Sequence, residues 1–139
     1  MTYPISVKGV VIDHGQVLLL LNERGEWDLP GGRPDAREDY GLALRREVCE
    51  ETGLLVEIDE ALREHLFEVL PACFVRILPF ACRLMARGDV VLSHEHVKAR
   101  WLPIDELADV IAGYRLPACY LAAIRQAIDQ PRSLSKGVV

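Results

Sequence analysis

Short apolar runs with strand spacing dominate the chain, interrupted by three stretches of helical character. Ile5, Val7 and Val10–Ile12 form one β-branched run and Val17–Leu21 another. Between them, Asp13-His14-Gly15-Gln16 has turn chemistry, which predicts an N-terminal hairpin. Asn22–Gly25 reads as a second turn and Glu26–Leu29 as a short strand. Pro30-Gly31-Gly32-Arg33-Pro34-Asp35 is too rich in Gly and Pro for a regular element and is expected to be a loop. A helix should then run from Asp39 or Tyr40 to Thr52. Asp39 is placed to cap its start, and Gly53 supplies the left-handed residue that ends it. Tyr40, Leu44 and Val48 recur every four residues and predict its buried stripe.

Beyond this helix, Leu54–Ile58 resumes β character. Leu66–Met85 should hold two strands broken near Pro71, with Pro79 marking a bulge or an edge position. Val97–Leu102 reads as a further strand, Ile104–Ile111 as a short helix, and Pro117–Gln130 as a longer one with Pro at its first turn. Hairpins mixed with a strand–helix–strand passage predict a mixed sheet with helices packed on it, an α/β (α+β) fold.

Composition adds limits. At 139 residues, half of them apolar and 27% charged, the chain fits one globular domain over residues 1–130, with 131–139 expected to be a flexible tail. A net charge of −5 argues against a general nucleic-acid binder and means that an anionic substrate needs metal ions or placed arginines. Met1–Lys8 lacks the pattern of a signal peptide, and no apolar run approaches membrane-spanning length. Cys49, Cys73, Cys82 and Cys119 show no C-x-x-C spacing, so reduced thiols and a cytoplasmic setting are expected. The expected partner is a small nucleotide, with neither nucleic acid nor membrane involved and a homodimer left open.

The predicted helix ends in an arrangement that stability alone does not favour. Glu47, Glu50 and Glu51 project within an arc of roughly 100°. Glu47 and Glu51 are like charges four residues apart, costing about 0.2–0.5 kcal/mol. All three crowd the negative end of the helix dipole, at ~0.3–1 kcal/mol each. A solvated charged face is the bland explanation of such a run. A bound divalent cation reverses the sign of the cost, and clustered carboxylates suit a hard ion such as Mg²⁺ or Mn²⁺. Gly31-Gly32 just upstream lets a carbonyl or a phosphate approach closely.

From Gly32, five residues lead to Glu38 and seven more to Arg46, followed by Glu47-Val48-Cys49-Glu50-Glu51-Thr52-Gly53-Leu54. This resembles, at every specified position, the signature of the Nudix hydrolase family. The approach Trp27-Asp28-Leu29-Pro30-Gly31-Gly32 is similar too, and weaker likeness extends to Ser93–His96 and Arg100–Pro103. Where family members often carry glutamate and glycine, this chain has Asp35 and Arg37.

The resemblance implies an α/β/α sandwich and metal-dependent hydrolysis of a pyrophosphate bond in a nucleoside diphosphate linked to another moiety. It implies Mg²⁺, with Mn²⁺ as substitute, held by Glu47, Glu50, Glu51, the Gly31 carbonyl and Glu38, the last as ligand through water or as a brace of the loop. Arg46 would orient a glutamate, and a carboxylate of the box or Glu95 would take the proton from water. Gly32, Arg33 and Arg37 would face the substrate. His94 and His96 are expected at the surface, and Trp27 and Tyr120 as packing residues. The placement of Pro71 resembles that in ADP-ribose and nucleotide-sugar hydrolases, so these are the leading substrates. A nucleoside triphosphate pyrophosphohydrolase and a non-catalytic nucleotide sensor are the alternatives.

Overall fold

The computed structural model describes residues 2–86, 88–108, 113 and 115–129. The expected tail at 131–139 and residues 109–111 of the expected helix at 104–111 lie outside these residues.

Strands β1 (Ile5–Asp13) and β2 (Gln16–Asn22) form the hairpin. Its register, Ile12↔Val17 and Asp13↔Gln16, leaves His14 and Gly15 as a two-residue loop, and both have positive φ (49° and 73°). That pair of left-handed residues is what a type I′ turn demands, and its twist matches the strands it joins.

The hairpin is paired only at its turn. Further down, the two strands part and the segment that follows fills the split. Strand β3 (Trp27–Asp28) pairs with β2, and β4 (Gly31–Gly32) pairs with β1 through Val7↔Gly32 and Lys8↔Gly31. The glycine pair expected to be a loop is therefore a two-residue strand. Gly31 has φ 145°, and a Cβ there would collide with the Val7 carbonyl, so only glycine lets the backbones pair this closely.

Helix α1 (Tyr40–Thr52) has the expected caps. Asp39 accepts from the Leu42 N–H at 3.1 Å, and Gly53, at φ 75°, donates to the Cys49 carbonyl. Its buried stripe is Ala43, Leu44, Val48, Glu51 and Thr52, whereas Tyr40 at the first turn is 40% exposed. The stripe is thus set later in the helix than the apolar spacing predicts.

Strands β5 (Val56–Ala61), β6 (His65–Leu70) and β7 (Cys73–Leu84) follow, and β7 runs parallel to β1 from Ile5↔Arg76 to Val11↔Cys82. Pro79 sits inside β7, not on an edge. Its carbonyl accepts from Leu62, in the gap between the β6 pairing, which ends at Ile77, and the β5 pairing, which begins at Phe80. The N–H that proline lacks would point into that same gap, so no ladder bond is lost. The register shift lies in β5, between Ile58 and Glu60, where it faces Cys82 and Ala81 and not Pro79.

Strand β8 (His96–Pro103) pairs along β2, a 3-10 turn covers Ile104–Glu106, and helix α2 spans Ala118–Asp129, with the Pro117 carbonyl accepting its first bonds. The result is one mixed sheet with a helix on each face. Val17 and Leu19 pack on the α2 side and Leu18 and Leu20 on the α1 side, which is why β2 reads as an unbroken apolar run. This is the expected α/β/α sandwich.

Candidate active site

The site lies where β1 and β2 part, under the C-terminal turns of α1. Two glutamates of the helix converge on the glycine pair. Glu51 is buried, and its Oε1 accepts from the Gly31 N–H at 3.1 Å. Glu47 packs on Gly32 so closely that a Cβ there would stand 2.6 Å from its Oε2. Glu50, one residue before Glu51, points outward, its side chain 56% exposed. The three acids thus grade from interior to solvent, and the solvated-face explanation fails for Glu51.

Arg46 organises the outer half. Its Nε and Nη2 make a two-pronged pair with Glu38, both at 2.9 Å, and Nη1 donates to Glu47 at 3.1 Å and Glu50 at 3.0 Å. Glu38 also accepts from the Asp35 N–H, which ties the loop ahead of α1 to the same arginine. Those hydrogen bonds, Arg46 first, hold the Glu38 carboxyl down at about 2. Burial pushes Glu47 up, partly offset by Arg46. Burial raises Glu51 further, to about 7, against the opposing pull of the Gly31 N–H, Lys8 and His96.

Behind Glu51 lies a polar network that the apolar pattern concealed. Lys8, in the middle of β1, is buried and donates to Asp28 Oδ1 at 3.1 Å and to the Leu29 carbonyl at 3.2 Å. Its ammonium also stands 5.7 Å from the centre of the Tyr120 ring, within cation–π range. His96 is buried rather than at the surface, its Nε2 3.7 Å from Asp28 Oδ2, and its Nδ1 has no hydrogen-bond partner among the described residues. Burial opposes the Asp28 charge, but Lys8 and His96 outweigh it and hold the carboxyl below its ordinary range. The one signal in the sequence is a lysine standing inside a β-branched run.

Glu51, Gly31, Lys8, Asp28 and His96 line a pocket of about 330 Å³, and Glu95 stands at it too, near enough to raise Glu47. Arg33 and Arg37 line a separate groove on the other side of the loop. Trp27, and Tyr120 from α2, pack into the core between α2 and the sheet, as expected of them.

Among the described residues, no three His, Cys, Asp or Glu side chains stand close enough to hold a metal ion as placed. The donor chemistry nevertheless fits a hard divalent cation. Glu47 and Glu51 flank a bare glycine backbone, and Arg46 occupies Glu47 and Glu50 as a cation would.

An acidic helix closes on a glycine strand in a split mixed sheet, and comparison with known proteins names the class of hydrolase that carries this arrangement. The NUDIX domain matches residues 2–119. A MutT-like protein of Streptomyces ambofaciens is 32% identical over 130 residues, covering 91% of this chain and 78% of its own length. Nucleoside diphosphate-linked moiety X motif 6 of Xenopus laevis is 32% identical, covering 77% of this chain and 53% of its own. The crystal structure of a MutT protein from Methanosarcina mazei Go1 superposes with a TM-score of 0.76 at 29% identity, covering 91% and 93%. The chain belongs to the Nudix family and is a Nudix pyrophosphohydrolase.

Proposed function

We propose that this enzyme hydrolyses a pyrophosphate bond in a nucleoside diphosphate linked to a second moiety, with Mg²⁺ as its working ion and Mn²⁺ as substitute. The observation that carries the reading is the convergence of Glu47 and Glu51 on Gly32 and Gly31, beneath an arginine that links Glu38, Glu47 and Glu50. The name of the Xenopus laevis relative, a nucleoside diphosphate-linked moiety X motif protein, agrees with that substrate class.

Glu47, Glu50 and Glu51, with the Gly31 carbonyl and Glu38 at the margin, would hold the ions. Bound there, such ions offset the phosphate charge and make water a better nucleophile. Arg46 keeps the outer carboxylates aligned. A carboxylate of the box, such as Glu50, or Glu95, exposed at the pocket beside Glu51, would take the proton from the attacking water. Gly32, whose missing side chain lets Glu47 lie against the strand, would also let the substrate phosphate approach the backbone. Pro71, the residue behind the ADP-ribose expectation, lies in the tight turn from β6 to β7 and lines neither the pocket nor the groove. The ADP-ribose expectation therefore rests on family likeness and not on contact with the site.

The test is a panel of nucleoside diphosphate derivatives with Mg²⁺ or Mn²⁺, products identified by mass. Glu50→Gln and Glu51→Gln should fold and lose turnover by orders of magnitude. Wild-type rates in both variants would sink the reading. Tight nucleotide binding with no product would favour a sensor instead.

A further inference from the structure

A groove of about 920 Å³ runs along the outer side of the loop from Arg33 to Tyr40, walled opposite by Tyr3 and Pro4. It borders the active site, since Glu38 lines it while pairing with Arg46, and Arg33 directly follows Gly32. Its charges are unevenly committed. Glu38 is bound to Arg46, Asp39 caps α1, and Asp35 stands 3.9 Å from Arg46. Arg76 is held by both oxygens of Glu64, at 2.8 and 2.9 Å. Arg33 and Arg37 alone among the groove's cations have no hydrogen-bond or ion-pair partner among the described residues.

Arg37 is also held in an unusual backbone conformation. Its φ is 66°, in the left-handed region where glycine sits without penalty and a long side chain does not. A position that local stability would give to glycine instead carries an exposed, unpaired guanidinium. Backbone strain kept at the edge of an active site points to function. In a chain of net charge −5, two free guanidiniums on one groove are the local remedy that a phosphate-bearing ligand needs. The Tyr40 ring, partly exposed beside them, offers a face to a sugar or a base.

We infer that this groove receives a phosphate group that the substrate carries beyond the bond being cut. The preferred substrates are then nucleotides with a phosphorylated distal half, such as nucleoside triphosphates or dinucleoside polyphosphates, ahead of those ending in a neutral sugar. This rests on the hydrolytic reading above and assigns its selectivity to Arg33 and Arg37.

The experiment compares kcat/KM of the full chain with Mg²⁺ on dGTP, diadenosine tetraphosphate and ADP-ribose. It is run for the wild type, Arg37→Gly, Arg33→Gln and the double variant. The wild type should prefer the first two probes. The ratio of their kcat/KM to that for ADP-ribose should fall about tenfold in each single variant and further in the double, chiefly through KM. Arg37→Gly should meanwhile raise Tm, because glycine relieves the left-handed strain. A purely structural role for Arg37 predicts no such pairing of higher stability with lower selectivity. An unchanged ratio in the double variant, or a wild type that prefers ADP-ribose, overturns the assignment. Should the wild type cleave none of the three with Mg²⁺ or Mn²⁺, the hydrolytic reading fails by itself. Calorimetry with sodium tripolyphosphate in EDTA then decides the groove: equal binding by the wild type and the double variant rules it out.

Discussion

Glu47 can lie against Gly32 only because residue 32 has no side chain: a Cβ there would sit 2.6 Å from one carboxylate oxygen and 3.1 Å from the other. The obstacle is space and not backbone angle, since Gly32 is not among the residues of positive φ. Gly32→Ala should therefore fold, with Tm near that of the wild type, while displacing the Glu47 carboxylate. We expect kcat to fall about a hundredfold, in keeping with a carboxylate misplaced by an ångström. Gly31→Ala is the contrasting case. There the new Cβ meets the Val7 backbone, which β1 holds in place, so unfolding and not selective inactivation is expected. Thermal melts beside steady-state kinetics separate the two; equal melting temperatures for both alanine variants would contradict the distinction.

Arg46 is bound to three carboxylates through a planar fork, two prongs of it to Glu38. A lysine carries the charge but not the fork. Arg46→Lys should keep the fold and lower kcat by about ten- to a hundredfold, because Glu38, the loop at Asp35 and the outer glutamates are no longer fixed together. Glu38→Gln should lose less, since its amide still accepts from Arg46. Stopped assays across Mg²⁺ concentration would show the Lys variant needing more metal; activity equal to the wild type at all concentrations would contradict the fixing role.

What could be read in advance, and what could not, divides by chain distance. The hairpin turn, the caps of α1 and the acids of its last turns are set by residues within a few positions of one another, so periodicity and spacing reveal them. Lys8, Asp28, His96 and Tyr120 come from four separate elements, and only the parting of β1 from β2 brings them together. His96, read as a surface residue, is buried because β8 lies along β2 and turns it inward onto Asp28. Gly31 and Gly32 look like a loop because glycine disfavours strands, yet the same lack of a side chain lets them pair with β1. Tyr40 has the right spacing to join the stripe, but it stands at the first turn of α1, where it lines the groove and is partly exposed.

The Lys8–Asp28 pair also predicts how the sheet responds to charge. Removing one member of a buried pair leaves the other without compensation and costs about 3–5 kcal/mol. Lys8→Met should destabilise by that order at neutral pH, and Lys8→Met with Asp28→Leu should recover most of it. In the wild type Asp28 is held below its ordinary value, so its contribution is present above that value and lost as pH falls through the folded one. Without Lys8, burial takes over and raises Asp28. The single variant's deficit should then shrink on acidification, as Asp28 protonates. Urea melts at pH 7 and pH 4 test this, and a deficit that grows in acid would refute it.

Glu51 gives the opposite sign. An unfolded glutamate ionises near 4.5, whereas burial raises this one to about 7 in the fold. Between those values the folded state keeps a proton that the unfolded state has lost, so stability falls as pH rises through the window and the penalty is complete above it. The gap corresponds to about 3 kcal/mol at most. In EDTA at pH 8, Glu51→Gln should therefore be more stable than the wild type, with the difference vanishing below about pH 4.5. Adding Mg²⁺ should reverse the order, because a cation offsets the buried charge in the wild type and has nothing to offset in the variant. The same substitution should lower turnover by orders of magnitude. A residue that weakens the empty protein yet is needed for catalysis is serving its ligand. Equal stabilisation of both proteins by Mg²⁺ would show that Glu51 is not where the ion is held.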